Sequence, residues 1–164
     1  MRSILRAFGV PFVATLAVAG VVAALLTWPS APSGSPVEVE LAALSVDGPS
    51  WVRVRGIAHY GSRVTLRSVG GWDREPVEWQ LFGLLPDLEG REVRVLVRTL
   101  RPPEEGVDFE HLLVEGVVSR ADPQRVPLRV REVLEKSGGW WLAEEVVVLE
   151  PTRIEAEDGV WEGP

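Results

Sequence analysis

From Val37 onward, apolar and charged residues alternate with a period of two. "VEVEL" sets Val37, Val39 and Leu41 against Glu38 and Glu40, and "WVRVRG" sets Val52 and Val54 against Arg53 and Arg55. A strand with one buried face produces this pattern, because successive side chains point to opposite sides. The alternation recurs at Val64 and Leu66, at Val77, Trp79 and Leu81, and at Val93, Val95 and Val97. "FEHLLVEGVVS" (109–119) and "WWLAEEVVVLE" (140–150) are rich in strand-forming residues. Turn-forming residues separate the runs: Asp47-Gly48-Pro49, Gly61-Ser62, Gly70-Gly71, Pro86 to Gly90, Pro102 to Gly106 and Ser137-Gly138-Gly139.

About seven or eight short strands at such spacing predict an all-β domain, a small barrel or sandwich. Runs 51–58, 63–69, 76–83, 91–99 and 110–119 suit an OB-like Greek-key barrel with extra C-terminal strands. Gly56 fits a first strand that must bend strongly. "PLRVREVLEKSGG" admits two readings. It is a short helix with Val130, Val133 and Leu134 on one face, or the first arm of a hairpin into Trp140. The pattern favours the hairpin.

Ahead of this domain, "AFGVPFVATLAVAGVVAALLTW" (7–28) carries no charge. Twenty-two helical residues extend roughly 33 Å, the thickness of a bilayer's hydrocarbon core. A cleaved signal would have an apolar region of only about 7–15 residues, and here Pro29 and Pro32 occupy the region a peptidase would cut. The expectation is an uncleaved anchor. Arg2 and Arg6 hold residues 1–6 in the cytoplasm, Trp28 sits at the far interface, and the remainder is extracytoplasmic, at the inner membrane. "PSAPSGSP" (29–36) reads as a flexible linker, and 37–164 as the exported domain.

Composition narrows the chemistry. The net charge is −7, and setting aside Arg2 and Arg6 leaves −9 for the rest, which argues against a nucleic-acid partner. The absence of cysteine removes thiol nucleophiles, disulfides and thiolate metal sites. Sixteen arginines against one lysine, with no asparagine, fit a high-GC genome and are also compatible with a heat-tolerant source. No G-x-S-x-G, P-loop, dinucleotide fingerprint or H-E-x-x-H occurs, so no catalytic residue, metal site or cofactor is assigned.

Candidate binding residues are therefore aromatic. His59 and Tyr60 stand together in "AHYGS", read as a strand turn where barrel loops meet ligands. Of seven tryptophans, Trp79 alternates inward as core, whereas Trp51, Trp72, Trp140 and Trp141 fall near strand ends or turns, where an aromatic rim can meet a ligand or partner.

"GLLPDL" (83–88), followed by "EGREVRV" and placed between the third and fourth predicted strands after an anchor, resembles the periplasmic haem chaperones of cytochrome c maturation. The resemblance implies an anchored OB-type barrel facing the periplasm. That family's haem-attaching H-x-x-x-Y motif has no counterpart in "VVSRADPQRV", so haem attachment is not implied. "WVRVRG" and "VRVLVRTLRPP" are also similar to strands of Surfeit-type cytochrome oxidase assembly factors, whose second membrane helix is replaced here by "EAEDGVWEGP".

The sequence thus predicts a single-pass, membrane-anchored, OB-like binding module. Its role is that of a non-catalytic accessory or assembly factor of the cell envelope with a protein partner there. The alternatives are a periplasmic hydrolase using paired carboxylates and a haem or metal carrier using His59 and Tyr60.

Overall fold

The computed structural model describes residues 32–67, 77–101, 107–121, 126, 128–136, 140–157 and 159–163. Among them no helix is long and apolar enough to cross a membrane. The predicted anchor at 7–28, with Arg2, Arg6 and Trp28, lies outside the described residues, as does Trp72.

The described chain is predominantly strand: β1 (Val37–Glu38), β2 (Trp51–Arg67), β3 (Glu78–Leu85), β4 (Glu92–Thr99), β5 (Phe109–Arg120), β6 (Trp141–Ala156) and β7 (Gly159–Glu162). A single 3-10 turn, Leu41–Ala43, and one helix, α1 (Leu128–Lys136), complete it. The expectation of an all-β domain holds at this level.

The strands form one mixed sheet in the order β1-β2-β3-β4-β6-β5, and an additional β2–β5 pairing returns the order to β2. All ladders are antiparallel except β1–β2 and β4–β6. β2 serves three neighbours, with β1 beside its Val52 and Arg53. Its residues Trp51 to His59 pair with β5, and Ile57 to Arg67 pair with β3.

Two expectations are corrected in β2 and α1. The runs expected as two strands at 51–58 and 63–69 are joined over the described residues 51–67 into one, because residues 60–63 form a bulge between His59 and Val64, beyond which pairing with β3 resumes. Glycine beside serine serves a bulge as readily as a turn. The segment 128–136 is a helix, not a hairpin arm, with Val130 buried. Lys136 near its C-terminus suits the helix dipole and lies 3.7 Å from Glu132, one turn earlier.

Two apolar clusters flank the sheet. On one face Val52, Val54, Phe82, Leu84, Val95, Val97, Leu112, Val114, Leu149 and Ile154 meet Leu41, Leu44 and Tyr60. On the other Leu81, Leu85, Val93, Leu96, Leu142 and Val146 lie with Val130 of α1. β3 and β4 are therefore buried on both faces, which explains why "LFGLL" and "VLV" are continuous apolar runs.

Gly56 and Gly116 are positions of close approach. A Cβ at Gly56 would fall 2.7 Å from Leu84 Cγ and 3.0 Å from Leu41 Cδ2. At Gly116 it would fall 2.7 Å from the Glu150 carbonyl oxygen, at a bulge in the β5–β6 ladder. Each glycine thus lets a neighbouring segment sit against the strand.

Candidate functional site

The stretch Leu84–Val95 supplies most of the site. β3 ends at Leu85, and Pro86 cannot continue a ladder as a donor. Asp87 then closes the turn. Its Oδ1 accepts the backbone N–H groups of Glu89 and Gly90, both at 2.9 Å, and β4 begins at Glu92. Such an Asx turn fixes the connection locally.

β6 arrives alongside this turn from far along the chain. The Trp141 N–H donates to the Arg91 carbonyl at 3.0 Å, and Trp141 pairs with Glu92. The preceding residue is clamped. The Trp140 ring lies 4.9 Å from that of His59, which stacks at 4.9 Å and 20° on Phe109. Anchoring Trp140 in this aromatic stack leaves Trp141 51% exposed at the start of β6.

Between these parts lies a cavity of about 450 Å³ with apolar walls of Leu41, Leu84, Leu85, Pro86, Val95 and Trp141. Asp87, Arg91, Glu92 and Arg94 complete the lining. This size and lining suit a small ligand or an inserted apolar group. A second cavity of about 540 Å³ shares Leu41, Ala42 and Pro86 and adds Glu38, Glu40 and Arg55. A third, about 440 Å³, shares Arg55 and Pro86 and reaches His111 and Glu155. The three make a run of hollows around Pro86. Arg55, Arg91 and Arg94 have no carboxylate partner among the described residues, whereas Arg53, Arg67, Arg98, Arg101 and Arg153 do.

Of the residues expected from sequence, Trp140 and Trp141 serve this region, the first as anchor and the second as wall. His59 belongs to the supporting stack and is buried. Burial holds its pKa below the ordinary value, opposed by the charge of Asp108. Tyr60 faces the other side of β2, among Val54, Ala58 and Phe82, whose ring it meets edge-on at 4.9 Å. His59 and Tyr60 are therefore not brought to a common site. Trp51 is half-buried, its Nε1 enclosed with no hydrogen-bond partner among the described residues.

Tyr60 instead joins a buried polar group. Its hydroxyl donates to Glu110 Oε2, while Arg101 donates from Nη1 to the same oxygen at 2.9 Å and from Nη2 to Oε1 at 3.0 Å. Burial pushes the Tyr60 pKa well above its ordinary value, reinforced by the hydrogen bond and charge of Glu110 and opposed by Arg101. Burial alone would raise Glu110, but the hydrogen bonds from Arg101 and Tyr60 and the charge of Arg101 outweigh it and hold the pKa below normal. The group is an ionised carboxylate held by a cation and a neutral phenol. Arg98 and Glu150 form a second buried pair at 2.7 Å, with the Arg98 guanidinium 4.1 Å above the Trp79 ring. Among the described residues no three metal-ligating side chains converge.

Sequence reasoning missed Leu41, Arg94 and the Arg101–Glu110 pair. Only Glu110 carried a readable signal, since it shares the inward register of Leu112 and Val114. Compared with known proteins, the chain matches no family model, no curated protein and no solved structure.

Proposed function

We propose that this chain is a membrane-anchored, OB-like Greek-key barrel that works as a non-catalytic binding module of the cell envelope, receiving an apolar group in the cavity beside Pro86. The observation that carries the reading is the cavity itself: about 450 Å³, apolar-walled, with an exposed tryptophan at one wall and arginines at the rim. The barrel reading is supported by the cycle β2-β3-β4-β6-β5-β2, in which β4–β6 is the single parallel pair. The location reading rests on the uncharged run 7–28 and on "GLLPDL", the stretch similar in pattern to the periplasmic haem chaperones, of which Leu84 to Asp87 line the cavity.

The chemistry of the carboxylates favours binding over hydrolysis. A general acid needs a carboxyl held protonated, and Glu110 is shifted the opposite way. Glu115 and Glu150 are each tied to an arginine. A haem or metal carrier built on His59 and Tyr60 would need both on one side of β2, and they face opposite sides.

Photocrosslinking tests the proposal. A photoreactive residue replacing Arg94 in the full chain, in native membranes, is expected to capture one dominant species. The same residue at Glu78, at the far end of β3, is expected to capture none. Equal and diffuse labelling at both positions would refute a specific site.

A further inference from the structure

The cavity opens beside the place where the described chain comes from the predicted anchor. Leu41 and Ala42 line it, Glu38 and Glu40 line the adjoining hollow, and Val37 begins β1 just before them. From Trp28 to Val37 is nine residues, which reach on the order of 30 Å even when fully extended. This end of the domain is therefore held near a bilayer if 7–28 spans it.

Exposed apolar side chains gather at the same end. Six large ones are exposed among the described residues. Three of them belong here: Trp141 at 51% in the cavity wall, Leu88 at 53% on the turn beside Asp87, and Val37 at 49% at the start of β1. Tryptophan settles at the headgroup level of membranes, where an apolar ring and a polar N–H are both accommodated. Arg55, Arg91 and Arg94, which have no carboxylate partner among the described residues, stand among these groups, suited to phosphate oxygens.

The geometry points to the bilayer itself as the occupant of this face: Leu88 and Trp141 seat among lipid headgroups, and the cavity walled by Pro86 and Trp141 takes an apolar group from the leaflet. The inference rests on the proposed anchor and binding site, and names their ligand as lipid. Glu38, Glu40, Asp87 and Glu92 share the rim with the arginines, so the face is not polybasic. Apolar seating therefore drives the contact, and anionic lipid adds little.

The cysteine-free sequence allows a direct test with single-cysteine variants of the full chain. Spin labels at Val18→Cys, Glu78→Cys, Leu88→Cys and Trp141→Cys are placed in phosphatidylcholine bilayers with and without phosphatidylglycerol, and their access to oxygen and to a water-soluble nickel chelate is compared. The expected result is a lipid-like ratio at 18, an interfacial one at 88 and 141 and an aqueous one at 78, with less than a twofold effect of phosphatidylglycerol. Aqueous values at 88 and 141 with a lipid-like 18 would overturn the lipid assignment and leave the anchor standing. An aqueous value at 18 would overturn the anchor and this inference together. Labels at 88 and 141 that are aqueous in pure lipid yet protected in native membranes would assign the face to a protein and equally overturn the inference.

Discussion

Replacing Glu110 with glutamine removes the charge that holds Arg101 inside the domain while changing the side chain's shape little. In the native arrangement two guanidinium nitrogens reach the carboxylate at 2.9 and 3.0 Å, and the side chains of Arg101 and Glu110 are 9% and 6% exposed. Breaking a buried pair from one side leaves an uncompensated charge and costs about 3–5 kcal/mol. Glutamine keeps a neutral acceptor, which places the expected loss at the low end, about 3 kcal/mol. That corresponds to a Tm lower by on the order of 10 °C for a domain of this size. Tyr60→Phe removes a hydroxyl that donates to Glu110 and accepts from Arg101 Nη1 at 3.2 Å while leaving the ion pair itself in place, and about 1.5 kcal/mol is expected. The control is Glu78→Gln, which breaks the Arg67–Glu78 pair whose side chains are 67% and 47% exposed. Exposed pairs contribute about 0–1 kcal/mol. Urea unfolding of the full chain in lipid nanodiscs, followed by tryptophan fluorescence at constant m-value, measures all three. A Glu110→Gln variant no less stable than Glu78→Gln would refute the reasoning, because it would mean that Arg101 finds water or another acceptor at little cost.

Acid should act on the same group and on the aromatic stack, with distinct thresholds. The depressed pKa of Glu110 gives stability that is complete above the unfolded value, about 4.3, and is lost as pH falls through the folded one. His59 is depressed as well, so the fold prefers it neutral. Stability should begin to fall once pH drops below about 6.5, where the unfolded chain takes up the proton first. In His59→Phe the decline between pH 7 and 5 should flatten, as read from urea midpoints. Gly116→Ala sets a Cβ 2.7 Å from the Glu150 oxygen and 2.9 Å from Pro151 Cα, both main-chain atoms, and should cost about 1–3 kcal/mol. Gly90→Ala, whose nearest neighbour would be Asp87 Oδ1 at 3.7 Å, should change stability by less than about 0.5 kcal/mol. Thermal unfolding of the pair distinguishes them.

Much of the sheet was legible because period two survives wherever one face meets solvent. Glu92-Val93-Arg94-Val95 announces a strand directly. The bulge at 60–63 was not legible, since Gly61-Ser62 has the composition of a turn and only the resumed pairing with Gln80 and Leu81 shows otherwise. Nor did α1 declare itself. Val130, Val133 and Leu134 fit a hairpin arm as well as one face of a helix, and only the structure shows Val130 buried from a helix. The site divides the same way. "GLLPDL" carried a turn signal and an apolar run, but Leu41 and Trp141 meet it from about 45 residues before and 55 after, through pairings that no local pattern encodes. Arg101 and Glu110 look like solvated charges in the sequence. Only the register that sets Glu110 inward with Leu112 and Val114 marked it for burial.

The central claim is that the hollow between Pro86 and Trp141 holds the ligand. Ala42 is exposed and lines that hollow, so Ala42→Trp should fill it without touching the buried clusters. The most direct measurement is the yield of the Arg94 photo-adduct in native membranes with and without Ala42→Trp, at matched unfolding midpoints. The account predicts at least a tenfold loss of the adduct, about 1.4 kcal/mol of binding or more. An unchanged yield in the filled, equally stable variant would contradict it.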